Sequence, residues 1–448
     1  MKYYSTNKQA PVASLEEAVV KGLAGDKGLY MPGHINKLDK EVIADLKNKS
    51  FHEIACTVAR AFFSSDIEPE TLDTIVKDTL SFDTPVVHVD DKIYSLELFH
   101  GPTLAFKDVG ARFMARLLGY FIKKEGLKQE VNVLVATSGD TGSAVANGFL
   151  GVPGIHVYVL YPKGKVSPIQ ECQFTTLGQN ITALEIDGTF DDCQALVKSA
   201  FMDAELNNHM KLTSANSINV ARFLPQSFYY FNAYAQLDKA GKADELVVSV
   251  PSGNFGNITA GLFAHRMGLP IKRFIAANNR NDVFLEYLRT GVYNPRPSVP
   301  TIANAMDVGD PSNFARIMDL FGKQDDPHAA ITSLIKGYRY TDEEIAATMK
   351  QAYSNTGYIL DPHGACGYQA LIDNKLSANE TGVFLETAHP AKFKGTVDKI
   401  LDTDIEIPAK LQAFMKGEKQ SIELKKDFAN FKTYLMEQDR STTKNGCN

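Results

Sequence analysis

The sequence has few cysteines and no long apolar run, and each of these absences narrows the class of protein. The five cysteines form no CxxC pair and are odd in number, which argues against a disulfide framework and a structural zinc site. No stretch reaches the roughly 20 apolar residues of a membrane helix, and the N-terminus lacks the apolar core of a signal peptide. We therefore expect a cytoplasmic protein with no membrane partner.

The sequence lacks the clusters of lysine and arginine that bind nucleic acids. The net charge is -6 and the lysines and arginines form no basic block, so we expect no nucleic-acid partner. Neither an HExxH motif nor an EF-hand loop occurs, and we expect no bound metal ion. With 448 residues, 44% of them hydrophobic and 22% charged, the chain has the composition of a globular protein of two or three domains.

Apolar, strand-like runs alternate with helical patterns through most of the chain. The runs lie at 131–137, 155–161, 181–187, 245–251, 273–279 and 382–388. This alternation predicts an α/β fold with parallel sheets covered by helices. The helix predicted after 187 begins at a cap supplied by Thr189 or Asp191. Because ligands of parallel sheets bind at the carboxyl ends of the strands, the loops that follow the strands are the places to look for chemistry.

Lys107 has unusual surroundings in the stretch FHGPTLAFKDVG, residues 99–110. Apolar neighbours suit a lysine that must react as a neutral amine, because desolvation lowers its pKa. The alternative is an ordinary lysine whose stem lies along the surface with its charge in water.

Two glycine-rich loops, ATSGDTGSA (136–144) and PSGNFGN (251–257), directly follow predicted strands. Neither matches GxxxxGK[ST] or GxGxxG, which argues against a P-loop kinase and a dinucleotide-dependent dehydrogenase. Each alone is compatible with a plain strand-to-helix turn. Together with a desolvated lysine they predict an enzyme that uses pyridoxal 5'-phosphate, whose aldehyde bonds to lysine and whose phosphate docks on backbone amides.

Three further segments carry candidate polar groups. Arg222 in SANSINVARFLPQ suits a phosphate, or it is a surface arginine beside a capped helix start. Thr387 in LETAHPAKF follows a strand and is placed to meet a pyridine nitrogen, or it caps a turn. His363 in DPHGACGY is a candidate general base, although a histidine between proline and glycine is more often structural.

Taken together, these motifs resemble the threonine synthase family, in particular its microbial and fungal branch. The stretches that carry the resemblance run in the family's order to about residue 400: HGPTLAFKDVGARF, ATSGDTGSA, DGTFDDCQALVK, NSINVARFLPQ, PSGNFGN, AMDVGDPSN and ETAHPAKF. The resemblance implies the tryptophan-synthase-β-like (fold type II) architecture of two parallel-sheet α/β domains with a helical N-terminal cap region. The implied limits are 1–92 for the cap region, 130–212 for the small α/β domain, and 93–129 with 213–448 for the large cofactor-binding domain and its helical C-terminal tail.

The resemblance also implies roles for individual residues. Lys107 is the catalytic residue and the Schiff-base lysine, and Thr387 faces the pyridine nitrogen of the cofactor. The implied cradle for the cofactor phosphate consists of Ser252, Gly253, Asn254, Phe255, Gly256 and Asn257. The implied substrate contacts are Thr137, Ser138, Gly139, Asp140, Thr141, Gly142 and Ser143 for the carboxylate, and Asn216, Ser217, Asn219 and Arg222 for the phosphate.

The reaction that the resemblance implies is that of a lyase in threonine biosynthesis. O-phospho-L-homoserine and water give L-threonine and phosphate, and the enzyme is expected to be a monomer or a homodimer. Gly364 and Cys366 stand where bulkier or β-branched residues are expected, and Val109 replaces an aromatic residue. The alternatives are a phosphohomoserine lyase, a serine or threonine dehydratase-like enzyme, and a binding protein that has lost catalysis.

Overall fold

The first eighty residues form a mostly helical region that packs on the rest of the chain. The structure is a computed structural model that describes residues 1–126 and 129–445. The elements of this region are β1 (Tyr3–Ser5), α1 (Leu15–Lys21), β2 (Tyr30–Pro32), α2 (Lys40–Asp45), α3 (Phe51–Phe63) and α4 (Pro69–Thr79). Helix α3 begins with a capping box of Ser50 and Glu53. On its inner face Phe62 meets Phe263 with ring centroids 6.1 Å apart, so this region shares a hydrophobic core with the remainder of the protein.

The remaining elements alternate between strand and helix, as the apolar pattern predicts. From residue 86 they are β3 (Val86–Asp90), β4 (Ile93–Glu97), α5 (Asp108–Glu125), β5 (Val131–Ala136), α6 (Asp140–Phe149), β6 (Ile155–Pro162), α7 (Pro168–Thr175), β7 (Ile181–Asp187), α8 (Phe190–Met202), α9 (Ala204–His209) and β8 (Lys211–Ser214). From residue 220 they are α10 (Val220–Phe223), α11 (Ser227–Lys239), β9 (Leu246–Pro251), α12 (Gly256–Arg266), β10 (Ile271–Asn278), α13 (Val283–Thr290), α14 (Phe314–Phe321), α15 (Pro327–Leu334), β11 (Ile335–Arg339) and α16 (Asp342–Thr356). From residue 362 they are α17 (Pro362–Asn374), β12 (Thr381–Glu386), α18 (Lys394–Leu401), α19 (Ala409–Met415), β13 (Ile422–Lys425) and α20 (Phe428–Asn445).

The larger sheet has six strands in the order β11-β10-β9-β12-β4-β3. Its neighbours pair in parallel except for β3, which runs antiparallel to β4. Every residue of β9 and β12 is buried, as central strands covered on both faces must be. Helix α17 packs across β12, β9 and β10 and covers one of these faces.

The smaller sheet has five strands in the order β13-β7-β6-β5-β8, all paired in parallel. All six residues of β5 are buried. Helix α8 begins at Thr189, whose hydroxyl accepts the N–H of Asp192 while the Asp192 carboxylate returns to the Thr189 N–H. This capping box decides between the two caps predicted from the sequence. The predicted α/β class with parallel sheets is confirmed.

Two strands belong to a different sheet from the one that the predicted domain limits would give them. Strand β3 lies within the predicted cap region 1–92 but pairs with β4 in the larger sheet. Strand β13 lies within the stretch 213–448 but extends the smaller sheet beside β7, and α20 packs on α8. A returning strand satisfies the open backbone groups at a sheet edge, and no local pattern tells which edge it will join. The domain limits themselves remain a prediction.

The structure bears on the expectations about membrane helices and about the cysteines. Within residues 1–126 and 129–445, no helix is both long and apolar enough to cross a membrane. Cys56, Cys172, Cys193 and Cys366 are free thiols, and all but Cys172 are buried. Cys447 lies outside the described residues.

Candidate active site

Loops at the carboxyl ends of strands from both sheets enclose one cavity. It contains about 880 Å³ of space, its open mouth included. The loops after β4, β9 and β12 of the larger sheet and after β5 of the smaller sheet line it, which is where parallel sheets bind their ligands. The following residues singled out in the sequence line this cavity: Lys107, Ser138, Thr141, Asn216, Ser217, Arg222, Gly253, Asn254, Phe255, Gly256, Asn257, His363 and Thr387.

Lys107 is held at the start of α5 by the hydrogen bonds of its neighbours. The Phe106 N–H donates to the Thr387 carbonyl at 2.8 Å, which ties this loop to the end of β12. The backbone N–H and the hydroxyl of Thr103 both donate to the buried carboxyl group of Asp108, at 2.9 and 2.6 Å. The backbone on both sides of Lys107 is therefore fixed, and its side chain reaches the cavity.

The environment of Lys107 favours the neutral amine. Burial lowers its pKa to about 8; Asp140 opposes this shift, and the cations Arg222 and Lys392 add to it. Desolvation is thus the main cause, as the apolar neighbours in the sequence predict. An amine with this pKa is partly neutral near pH 7 and can accept a proton.

The loop between β9 and α12 presents its backbone to the cavity. Phe255 has a left-handed conformation, with φ 62°, and its ring packs on Phe284 at a centroid distance of 4.6 Å. The structure records no protein acceptor for the N–H groups of 253–257, all in the described part of the chain. Free N–H groups at a helix N-terminus form an anion site. A Cβ on Gly253 would lie 2.8 Å from the Ala305 carbonyl oxygen, so only glycine fits this close approach.

The serine and asparagine side chains of the same loop brace it. Asn254 donates to the Ser217 hydroxyl at 2.7 Å and accepts the N–H of Ser312 at 2.6 Å. Asn257 and Ser252 donate to carbonyl oxygens at the end of β9, at 2.8 and 3.1 Å. The loop is thus locked from three directions while its N–H groups stay available for a ligand.

The loop between β5 and α6 turns most of its side chains away from the cavity. The Thr137 hydroxyl accepts the N–H groups of Gly139 and Gly142 at 2.9 and 2.8 Å, so the protein itself uses part of this helix terminus. Ser138 and Thr141 line the cavity. Two hydroxyls and the remaining N–H groups at the start of α6 can hold a small carboxylate.

Asp140, in the middle of this loop, forms a buried ion pair. Its Oδ1 lies 2.7 Å from Nζ of Lys392 and accepts a hydrogen bond from Gln170 at 2.8 Å. Lys392 also donates to the Thr103 carbonyl at 2.8 Å. Burial alone would raise the pKa of Asp140, but Lys392 and Lys107 outweigh it and hold that pKa at about 2. Asp140 is therefore ionised and already paired.

Residues 214–226 contribute one buried cation and one structural amide. Arg222 is 2% exposed, lines the cavity and donates to the Ala215 carbonyl. Its Nε has no hydrogen-bond partner among the described residues. Burial lowers the pKa of Arg222 to about 10, which still leaves it charged at neutral pH. Asn219 instead caps α10 and donates to the carbonyls of Val19 and Ser214, which anchors the N-terminal region.

The predicted substrate and cofactor contacts are thus only partly brought together. The predicted residues that do not line the cavity are Thr137, Gly139, Asp140, Gly142, Ser143, Asn219 and Ser252. The reason is geometric, because successive residues of a tight strand-to-helix turn point in different directions. A motif matches the whole turn, whereas a ligand meets only the groups on its open side.

The sequence motifs AMDVGDPSN and ETAHPAKF include most of the segment 304–308 and Lys392, but sequence reasoning gave neither a role in the site. Lys392 lies in the turn Pro390–Phe393 and is fully buried. Its proline and phenylalanine neighbours are the same signal that drew attention to Lys107. The segment 304–308, which includes Asp307, also lines the cavity, and its Ala305 carbonyl lies close to Gly253. Burial raises the pKa of Asp307 to about 6.

His363 and Gly364 serve the architecture around this segment. His363 accepts the Ala305 N–H on Nε2 at 3.1 Å, so its Nδ1 carries the proton that faces Asp361 at 2.5 Å. Both ring nitrogens are engaged, which favours the structural role of this histidine. A Cβ on Gly364 would lie 1.5 Å from Oε2 of Glu386, a fully buried carboxyl group whose pKa is raised well above its ordinary value by burial. This contact explains the glycine that the sequence marks as a departure.

A desolvated amine beside a row of free N–H groups, with a threonine hydroxyl nearby, is the donor set that pyridoxal phosphate requires. The family model described as pyridoxal-phosphate dependent enzyme matches residues 80–387. The models described as threonine synthase N terminus and threonine synthase, C-terminal, match residues 2–80 and 364–435. The chain is a pyridoxal-phosphate-dependent enzyme.

Individual relatives narrow this class. Threonine synthase of Haemophilus influenzae is 46% identical over 436 residues, which cover 97% of this chain and 100% of the relative. The crystal structure of threonine synthase from Escherichia coli matches with a TM-score of 0.91 at 42% identity, covering 98% of this chain and 100% of that one. The pyridoxal-phosphate-bound threonine synthase of Brucella melitensis matches with the same TM-score at 37% identity and the same coverage. The chain belongs to the threonine synthase family, and the predicted family, fold type and cofactor are confirmed.

Proposed function

We propose that this cavity converts O-phospho-L-homoserine and water into L-threonine and phosphate. The observation that carries the proposal is the presence of two separate anion sites around one desolvated amine. The free N–H groups of 253–257 form one site, and the buried cation Arg222 forms the other. A cofactor and a substrate that each carry a phosphate need two such sites, and Lys107 lines the same cavity.

The residues present fit pyridoxal phosphate. The N–H groups of 253–257 would hold its phosphate, Lys107 would bond to its aldehyde, and Thr387 would face its ring nitrogen. When bound, the cofactor supplies a carbonyl that captures amines and a ring that stores the electron pair left at the substrate α-carbon. The closeness of Gly253 to Ala305 supports this fit, because a larger residue would push the phosphate away from the backbone.

Lys107 is the residue to which we assign the proton transfers. Released from the cofactor by the substrate's amine, its neutral amine takes the proton from Cα and returns one there at the end. Between these steps one proton leaves Cβ, the C–O bond at Cγ breaks as phosphate departs, and Cγ gains a proton. Water then adds its hydroxyl at Cβ, and its second proton balances the charge of the released phosphate. A single base can serve several of these steps only if its pKa lies near the working pH, as that of Lys107 does.

The substrate would lie between the two sheets. Ser138, Thr141 and the start of α6 suit its carboxylate, since this terminus has hydroxyl and N–H donors facing the cavity. Arg222, with Asn216 and Ser217, suits its phosphate. Arg222 is buried yet lines the cavity and stays charged at neutral pH, which supports an anionic ligand there.

The test is to supply O-phospho-L-homoserine and to measure threonine and phosphate together. We expect the two products in equal amounts. Phosphate without threonine would indicate a phosphohomoserine lyase, and activity on serine or threonine with none on phosphohomoserine would indicate a dehydratase. Either outcome would overturn the proposal.

Variants of Arg222 test its assignment to the substrate phosphate. Arg222→Ala is expected to raise KM for phosphohomoserine by about 100-fold, because a charge-assisted pair is lost. Arg222→Lys keeps the charge without the planar fork and should give an intermediate KM. Arg273→Lys is the control: Arg273 is largely buried but pairs with Glu380 and does not line the cavity. It should lower the melting temperature without a comparable rise in KM, and equal KM effects of the two lysine variants would remove Arg222 from the substrate site.

A further inference from the structure

A buried ion pair joins two loops of the site that come from different sheets. Asp140 begins α6 and Lys392 follows β12, and their side chains are 3% and 0% exposed. We propose that Asp140 and Lys392 are positioning residues that hold the helix end carrying Ser138 and Thr141 in place and keep the charge around Lys107 balanced. The inference deepens the proposed function and rests on it, because that function requires Lys107 to act as a neutral amine.

The hydrogen bonds of the pair connect the start of α6 with the loop that contains Lys107. Lys392 bridges from Asp140, at 2.7 Å, to the Thr103 carbonyl, at 2.8 Å, and Thr103 in turn holds Asp108 beside the reactive lysine. Gln170 of α7 donates to the same oxygen of Asp140 that Lys392 contacts. The helix end of the smaller sheet and the Lys107 loop of the larger sheet are therefore tied through one ammonium group. A buried ion pair adds little net stability, so a role in position and charge accounts for it better than a role in stability.

The charge balance follows from the groups that face Lys107. These are Asp140 from α6, Arg222 from α10 and Lys392 from the turn after β12; Asp108 is its neighbour in the chain, and Asp307 and His363 line the same cavity. The carboxylate of Asp140 stabilises the protonated amine, whereas Lys392 destabilises it. In the intact pair these two influences oppose each other, so that burial and the cation Arg222 are left to lower the pKa of Lys107.

Because the two charges act in opposite directions, removing one or the other should shift the pKa of Lys107 in opposite directions. The full chain, freed of cofactor, is treated with acetic anhydride from pH 6 to 10, and mass spectrometry of the Lys107 peptide reports the fraction of neutral amine. Lys392→Met leaves Asp140 uncompensated and should raise the pKa of Lys107 by about half to one pH unit. Asp140→Asn leaves Lys392 uncompensated and should lower it by a similar amount. The double variant should return close to the unsubstituted protein.

Control variants separate this role from a structural one. Lys392→Arg keeps the charge and should leave the titration nearly unchanged. Lys394→Met removes a lysine of the same segment that pairs with Asp398 and Asp404, and it should leave the titration of Lys107 unchanged too. The charge role would be overturned if Lys392→Met and Asp140→Asn both shifted the pKa of Lys107 in the same direction. It would also be overturned if they lowered the melting temperature without shifting that pKa. If Lys392→Met fails to fold, the isosteric Asp140→Asn still decides the matter, because it must shift the pKa downwards.

The positioning role has its own readout. In the double variant loaded with cofactor, KM is expected to rise several-fold at nearly constant pKa of Lys107, since the ammonium group that ties the helix end of Ser138 and Thr141 to the Lys107 loop is lost. An unchanged KM would overturn that part of the inference. The labelling of Lys107 needs no cofactor, so its result stays distinguishable from a failure of the proposed function, which would appear as an absence of threonine.

Discussion

The loops at 137–143 and 252–257 share a plan in sequence but present different groups to the cavity. Both connect a buried parallel strand to a helix and are rich in glycine and small polar residues. In 252–257 the side chains brace the loop, and the N–H groups of 253–257 remain open while that of Ser252 donates to the Ala277 carbonyl. In 137–143 the Thr137 hydroxyl occupies two N–H groups, and two side chains face the cavity instead.

The two loops also differ in charge. The loop 252–257 contains no ionisable side chain, which suits a cradle for a phosphate dianion. The loop 137–143 contains Asp140, which would repel any anion if Lys392 did not neutralise it. A glycine-rich turn therefore does not define an anion site by itself. What matters is which N–H groups remain free and whether the buried charges beside them are paired.

Lys107 lines the cavity that both loops share, and replacing it should have the largest effect. Lys107→Met is expected to lower kcat on the order of 10³-fold or more, because it removes the base that we assign to several steps. Threonine and phosphate release measure the loss. Borohydride reduction followed by peptide mass spectrometry should find the cofactor on Lys107 in the unsubstituted protein, and a label on another lysine would contradict the assignment.

Alanine at one glycine in each loop separates their roles. Gly253→Ala should weaken cofactor binding by about 100-fold, because its Cβ would lie 2.8 Å from backbone atoms of Ala305 and Met306 and displace the cradle. Gly142→Ala would place a Cβ 2.5 Å from the Thr137 methyl group and should mainly lower the melting temperature. Absorbance titration with pyridoxal phosphate measures the affinity. Equal losses of cofactor affinity would erase the distinction between the loops.

The pH dependence of kcat should respond to one loop and not to the other. The pKa of Lys107 is lowered to about 8, so the neutral fraction of its amine, which can accept a proton, falls steadily below that pH. We expect kcat to fall about tenfold for each pH unit below about 8. Asp140→Asn should move this inflection to lower pH, since the carboxylate stabilises the protonated amine, while Gly253→Ala should leave it in place. A flat profile from pH 6 to 9 would contradict the role of Lys107 as the base.

Two serines of the loop 137–143 allow the comparison to be tested by removing a single hydroxyl group. Ser138→Ala should raise KM about tenfold, because Ser138 faces the cavity and would lose one hydrogen bond to the substrate carboxylate. Ser143 is buried and donates to the Gly139 carbonyl at 3.1 Å. Ser143→Ala should lower the free energy of unfolding by about 1 kcal/mol with KM unchanged. A rise in KM for Ser143→Ala alone would reverse our assignment of the loop's two faces.

Several features of the site can be predicted from the order of the amino acids alone. The apolar setting of Lys107 indicates its desolvation, and the glycines of 252–257 indicate close approach of the backbone, because both are properties of a few adjacent residues. Thr387 is identified because a strand pattern ends beside it, and it lines the cavity. The sequence pattern does not separate Ser138 from Ser143 or Arg222 from Asn219, since both members of each pair fit the same motif.

The amino-acid sequence by itself determined the alternation of strands and helices, the position of the two loops and the neighbours of Lys107, since these depend on periodicity and on contacts along the chain. Only the tertiary structure decided that β13 completes the smaller sheet and that Lys392 meets Asp140. Such partners lie far apart in the chain, and a buried charge does not mark its counterion in the residues around it. Which side of a turn faces the ligand is likewise decided only when the two sheets close around the cavity.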